Sequence, residues 1–252
     1  VGAARSAAGR LRRAQSDIGV NPTVIAHTPI AVVDVETTGL KSDNDRIVEI
    51  CIVRLEPEAG NGRMQRTVLS TLVNPERQMG ATHVHGITTE HVAEAPTFGG
   101  VAAQILTALN GCVVAGWNAH YDVRFLEAEF LRSGLPLHLP FVCSMRLRSM
   151  AKLGPPVSLK RACEAHAIPL EGHHSAEADT VATARLTKLC LDALSERRVQ
   201  RFGDLRRLHG YAFTKSLRHP VLAGDEALFV PESQVLFTRD QFDAAGHANE
   251  ES

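Results

Sequence analysis

The chain has 252 residues, 44% of them apolar and 22% charged, with a formal net charge of −1, which is the composition of a soluble globular protein and excludes collagenous, low-complexity and wholly disordered readings. No apolar run approaches the ~20 residues of a membrane span, and the start bearing Arg5, Arg10, Arg12 and Arg13 is not followed by the apolar stretch of a secretory signal, so a cytoplasmic location is expected. Near-neutral charge argues against coating long stretches of nucleic acid through many phosphate contacts, but is compatible with an enzyme that grips a few nucleotides at a strand end.

Residues 1–28 are rich in Ala and Arg and lack an apolar period, which predicts a flexible basic arm. From Pro29 the pattern changes. The β-branched run 30–36, stopped by Thr37-Thr38-Gly39, predicts a buried strand. Runs 46–55 and 64–73 predict two more strands in an antiparallel meander. Thr97 can cap a helix with Val101, Ile105 and Leu109 on one face, closed by Gly111. A strand at 112–115, a helix carrying Val123, Leu126 and Phe130, and a strand at 141–143 follow. Helices are then expected at 145–152, 158–167 and 175–194. This order predicts an α/β domain over residues 29–194, a mixed five-stranded sheet with helices on its faces. Residues 195–252 form a C-terminal extension of unassigned role. Its 197–218 stretch holds seven Lys/Arg and one acid, Asp204, and its 224–252 stretch seven acids and one Arg. A small hairpin is expected from 227–230 and 234–238. The cysteines at 51, 112, 143, 163 and 190 make no CxxC pair and are expected to be buried reduced thiols.

Three short segments carry chemistry. Asp34 and Glu36, two apart on a strand, project from one face at the exit of the most apolar strand, an arrangement that is costly unless a cation sits between the carboxylates. Asp122 falls in the first turns of a helix that follows a strand. His174 and Asp179 are five apart, about 140° around a helix axis, so they can serve one centre only if Ser175 caps the helix and leaves His174 on the preceding loop. Four acids and a histidine, with no thiolate, suit Mg2+ or Mn2+ rather than zinc. Their charge is about what two divalent ions neutralise, as in hydrolysis at phosphorus by paired metals, and a mobile imidazole can take the proton of the attacking water.

The segments Val33-Asp34-Val35-Glu36-Thr37-Thr38-Gly39-Leu40, Asn118-Ala119-His120-Tyr121-Asp122-Val123-Arg124-Phe125-Leu126 and His174-x-x-x-x-Asp179 resemble the three motifs of the DEDDh 3′–5′ exonucleases, most nearly the proofreading epsilon subunits of bacterial DNA polymerase III and their stand-alone relatives. His85-Gly86-Ile87-Thr88 matches a segment these proteins carry between the first two motifs. The resemblance implies an RNase H-like fold, with three antiparallel strands then two parallel ones, and release of nucleoside 5′-monophosphates from a 3′ end. It implies two Mg2+ or Mn2+ ions on Asp34, Glu36, Asp122 and Asp179, and His174 as general base. Thr37 would present its backbone N–H to the terminal 3′-hydroxyl, Leu40 and Ile87 would wedge against the last bases, and Asn118 and His85 would line the groove. Trp117 stands where the family more often has His, and His173 adjoins His174. The expected substrate is single-stranded or frayed DNA. An RNA 3′-end trimmer or oligoribonuclease is the alternative enzyme, and a non-catalytic polymerase-associated binding protein the alternative of another class. A polymerase partner would be met through the C-terminal extension.

Overall fold

The computed structural model describes residues 24–59, 62–170 and 175–207. The expected hairpin lies outside them, as do His173 and His174. Strand β1 (Ile30–Thr37) pairs antiparallel with β2 (Ile47–Pro57), which pairs antiparallel with β3 (Arg63–Leu72). On its other side β1 pairs parallel with β4 (Val113–Gly116), and β4 with β5 (Phe141–Cys143). The sheet order is β3-β2-β1-β4-β5, the mixed five-stranded arrangement expected from sequence.

The period of two along β1 divides the core. Ile30 and Val32 join Cys51, Val53 and Leu55 under helices α5 (Ser144–Met150) and α7 (Ala176–Glu196). Ala31, Val33 and Val35 join Ile50 and Ile52 under α3 (Phe98–Leu109) and α4 (Ala119–Arg132). Asp34 and Glu36 continue the register of Ile30 and Val32, and so belong to the face that α7 covers. Thr97 caps α3 by accepting from Gly100 N. Ser158 likewise caps α6 (Leu159–Ala165). Two single-turn helices, α1 (Thr82–His85) and α2 (Thr89–Val92), bracket the Gly86-Ile87-Thr88 segment and were not expected.

Both edges of the predicted domain move outward. Residues 24–28 are part of the fold rather than of an arm. Ile25, in a 3-10 turn (Ile25–His27), is buried in the α7-side core, and its N–H donates to Gln200 O. The buried Arg63 guanidinium donates to the carbonyls of Thr28 and Ile25, and burial pushes its pKa down to about 10. At the other edge Val199, Phe202 and Leu205 join the same core. Apolar side chains and backbone pairing from both ends thus extend the domain to residues 24–205. The five cysteines are buried and free, as expected. Among the described residues no helix is long and apolar enough to cross a membrane.

Candidate active site

The site forms where β4 stops and β1 continues. The β1–β4 ladder ends at Val32 opposite Ala115, while β1 runs on to Thr37. Past that point the Val35 N–H donates instead to Asp122 Oδ1 at 3.3 Å. Gly116 permits this approach, because a Cβ there would lie 3.0 Å from both Asp122 Oδ2 and Val33 O. The first turn of α4 therefore lays a carboxylate against the strand that carries Asp34 and Glu36.

These acids share one field. Burial raises the Asp34 pKa well above the usual carboxylate range, and Asp122, Glu36, Asp179 and Glu49 push it further. Burial, then Glu49, Asp179 and Asp122, push Glu36 up to about 7. Burial brings Asp122 to about 7 against the Val35 hydrogen bond that favours its charged form. Asp179 sits in the first turn of α7 and is 8% exposed. Three elements (β1, α4 and α7) thus bring the four predicted acids into electrostatic reach of one another. Among the described residues no group of three or more His, Cys, Asp and Glu side chains is gathered closely enough to hold a metal ion. The donor chemistry nevertheless fits a hard divalent cation: oxygen ligands only, and a negative field that like charges alone make costly.

The start of α7 differs in one detail from the sequence reading. Ser175 precedes the helix as expected, but its side chain makes no capping hydrogen bond. The Ala176 N–H instead donates to Glu49 Oε2 at 3.1 Å. Glu49 stands opposite Glu36 in the β1–β2 register, and burial raises its pKa. Sequence reasoning passed it over, although a single acid between Val48 and Ile50 in a buried strand was a usable signal.

The remaining predicted residues fall in two groups. Thr37 ends β1, and its hydroxyl lies 2.6 Å from the Tyr121 hydroxyl and donates to Gly39 O at 2.7 Å. Tyr121 also donates to Gly39 O at 3.0 Å, and Arg124 donates to Leu40 O. Helix α4 therefore holds the Thr37-Thr38-Gly39-Leu40 turn as well as supplying Asp122. Leu40, at the end of that turn, is 75% exposed. Gly80 packs on the same turn so closely that a Cβ there would overlap Thr38 O, and a Cβ on Gly39 would overlap the Asp45 carboxyl. His85 is buried beside the turn. Its Nδ1 accepts from the Ile87 N–H, which leaves the neutral ring's proton on Nε2, and burial lowers its pKa against the Thr37 and Gly80 backbone groups. Asn118 is exposed at the start of α4.

Two further residues are buried in apolar clusters. Ile87, expected to wedge against a base, is packed with Val48 and Val92 and is 7% exposed. Trp117 is buried among Leu159, Ala162, Cys163, Ala182 and Leu186, with its indole N–H on Val157 O at 3.0 Å, so its indole is a core group between α6 and α7.

Comparison with known proteins fits this arrangement. Residues 31–187 match the family model RNase_T, described as Exonuclease. A DNA polymerase III subunit epsilon-like protein of Rhodobacter capsulatus is 34% identical over 210 residues, which is 75% of this chain and 28% of that protein. The DNA polymerase III subunit epsilon of Treponema pallidum is 32% identical over 105 residues, 41% of this chain and 46% of that protein. The chain thus spans less than half the length of these relatives. Among solved structures, Escherichia coli exonuclease I in complex with a dT13 oligonucleotide superposes with a TM-score of 0.58 at 18% identity, over 68% of this chain and 42% of that one. That likeness extends to the fold, the RNase H-like mixed sheet. With its three acidic motifs inside the matched region, the chain belongs to the RNase_T exonuclease family.

Proposed function

We propose that this protein is a metal-dependent 3′–5′ exonuclease of proofreading or repair type, which hydrolyses phosphodiester bonds at DNA 3′ ends and releases nucleoside 5′-monophosphates. The observation that carries the reading is the shared field of Asp34, Glu36, Asp122 and Asp179: burial lifts Asp34, Glu36 and Asp122 out of their ordinary range, and repulsion from neighbouring acids pushes Asp34 and Glu36 further. Such a site favours a cation between its acids. Asp34, Glu36, Asp122 and Asp179 would hold two Mg2+ or Mn2+ ions. Bound there, such ions supply charge stabilisation for the attacking and leaving oxygens of an in-line displacement at phosphorus.

The chain's own residues do the rest. His174, immediately before the residue that opens α7, takes the proton of the attacking water. Thr37 offers its backbone N–H to the terminal 3′-hydroxyl, while Leu40 presents an apolar face to the last base from an exposed turn. Asn118 and His85 line the groove beside it. DNA is preferred as substrate because the exonuclease I fold relative was solved with a DNA oligonucleotide and the sequence relatives carry polymerase III names. A polymerase would be met through the C-terminal extension beyond Leu205, in a cytoplasmic setting.

The test is degradation of matched 5′-labelled DNA and RNA oligonucleotides in Mn2+. Stepwise shortening of DNA from the 3′ end, abolished in Asp34→Ala with the fold retained, is the expected result. Faster loss of the RNA would transfer the assignment to an exoribonuclease, and parental trimming by Asp34→Ala would refute the site.

A further inference from the structure

Glu49 is a carboxylate placed where it costs stability. It lies directly opposite Glu36 on the neighbouring antiparallel strand, and like charges in that relation are destabilising. It is a single acid among Ile47, Val48, Ile50, Cys51 and Ile52, all fully buried. Among the described residues, its hydrogen bond to another element runs to the Ala176 N–H at 3.1 Å, across 127 residues of sequence. That N–H belongs to the first turn of α7, where the free backbone donors of a helix need an acceptor and where Ser175 supplies none from its side chain.

The same turn carries the chemistry. The Asp179 N–H donates to Ser175 O, which places Asp179 one turn into the helix that Glu49 fastens. His173 and His174 immediately precede Ser175. We propose that Glu49 is a positioning residue: it ties the N-terminus of α7 to β2, and so fixes Asp179 relative to Asp34 and Glu36 on β1. This deepens the exonuclease reading and rests on it for its kinetic consequence. The anchor itself is a structural fact independent of that reading. Glu49 acts by reach, through one oxygen on one N–H, rather than by adding a fifth charge to the centre.

Reach and charge separate in three variants of the full chain. Glu49→Gln keeps an oxygen at the same distance and loses the charge. Glu49→Asp keeps the charge and falls one methylene short of Ala176. Glu49→Ala loses both. Steady-state kinetics on a 5′-fluorescein-labelled single-stranded DNA oligonucleotide in Mn2+ should show kcat reduced about tenfold or more in Glu49→Asp and Glu49→Ala, with KM little changed, since small misplacements of catalytic groups cost on that order. Glu49→Gln should recover most of the parental kcat. Hydrogen exchange in a peptide covering 175–182 should be faster in Asp and Ala and parental in Gln. The proposal is overturned if Glu49→Asp matches the parent while Glu49→Gln is damaged, which would make the charge the working part, or if all three variants match the parent. If the parent itself trims no oligonucleotide, the exonuclease reading fails, and hydrogen exchange alone still decides for or against the anchor.

Discussion

Replacing Asp122 by Asn should make the metal-free protein more stable while removing a carboxylate from the proposed metal site, and the gain should depend on pH in a defined way. Asp122 is 4% exposed, and its pKa stands at about 7 in the fold against a reference of 3.8, with burial the dominant cause. The folded state therefore holds a proton that the unfolded chain has released between about pH 4 and 7, so stability falls as pH rises through that window and levels off above it. At 1.36 kcal/mol per pKa unit, the shift of about three units amounts to about 4 kcal/mol at most, shared with the other acids of the cluster. Asparagine keeps an oxygen for the Val35 N–H and removes the charge. In EDTA at pH 8, Asp122→Asn should gain roughly 2–4 kcal/mol, or about 5–15 °C in melting temperature for a domain of this size. At pH 4 most of this gap should be gone. Thermal melts in EDTA from pH 4 to 8.5 measure the difference. A gap that does not change with pH, or an Asn variant that melts lower at pH 8, would refute the electrostatic account of the site.

Three further outcomes test other parts of the arrangement. Tyr121→Phe removes the hydroxyl that meets Thr37 and Gly39 O; it should cost about 1 kcal/mol in urea unfolding and raise KM for an oligonucleotide several-fold with kcat less affected. Glu129→Ala strips a 1% exposed carboxylate from Arg46, Arg132 and the Ile47 N–H, and should lower stability by about 3–5 kcal/mol as read from the urea midpoint. His174→Ala should slow hydrolysis severely while Mn2+ binding, followed by electron paramagnetic resonance, is retained. Should His173→Ala prove the damaging change instead, the base is reassigned.

What could be read ahead of the structure was whatever is written locally. β1 and β5 stand where their apolar runs place them. Helices α3 and α4 follow from a 3.6-residue period over three or four turns. The acid motifs were legible because their spacing matches strand and helix geometry. The parts that escaped are set by distant partners. Single-turn helices such as α1 and α2 have too few residues to show a period. The docking of Ile25 depends on Arg63, 38 positions away, and on Gln200. The burial of Ile87 depends on Val48 from β2. The cap of α7 comes from Glu49 rather than from the adjacent Ser175, whose residue type suggested it.

The placement of the acids follows from how β1 is used. The strand is central, and its first four residues, Ile30 to Val33, are fully buried between two helical layers, so its position is determined by packing on both faces before any polar residue is considered. That rigidity passes to its last residues, since β2 pairs along the full length of β1 while β4 leaves off at Val32. The backbone donor thereby exposed at Val35 is satisfied by Asp122, and the strand opposite Glu36 supplies Glu49 to α7. Each helix that brings an acid is thus fastened to the β1–β2 pair by a carboxylate, through contacts a few residues from Asp34 and Glu36. The repulsion among these groups is tolerated because the two apolar clusters hold the strand from both sides. A site assembled instead from loops could relieve the same repulsion by moving apart, and would hold no fixed distance between its carboxylate oxygens.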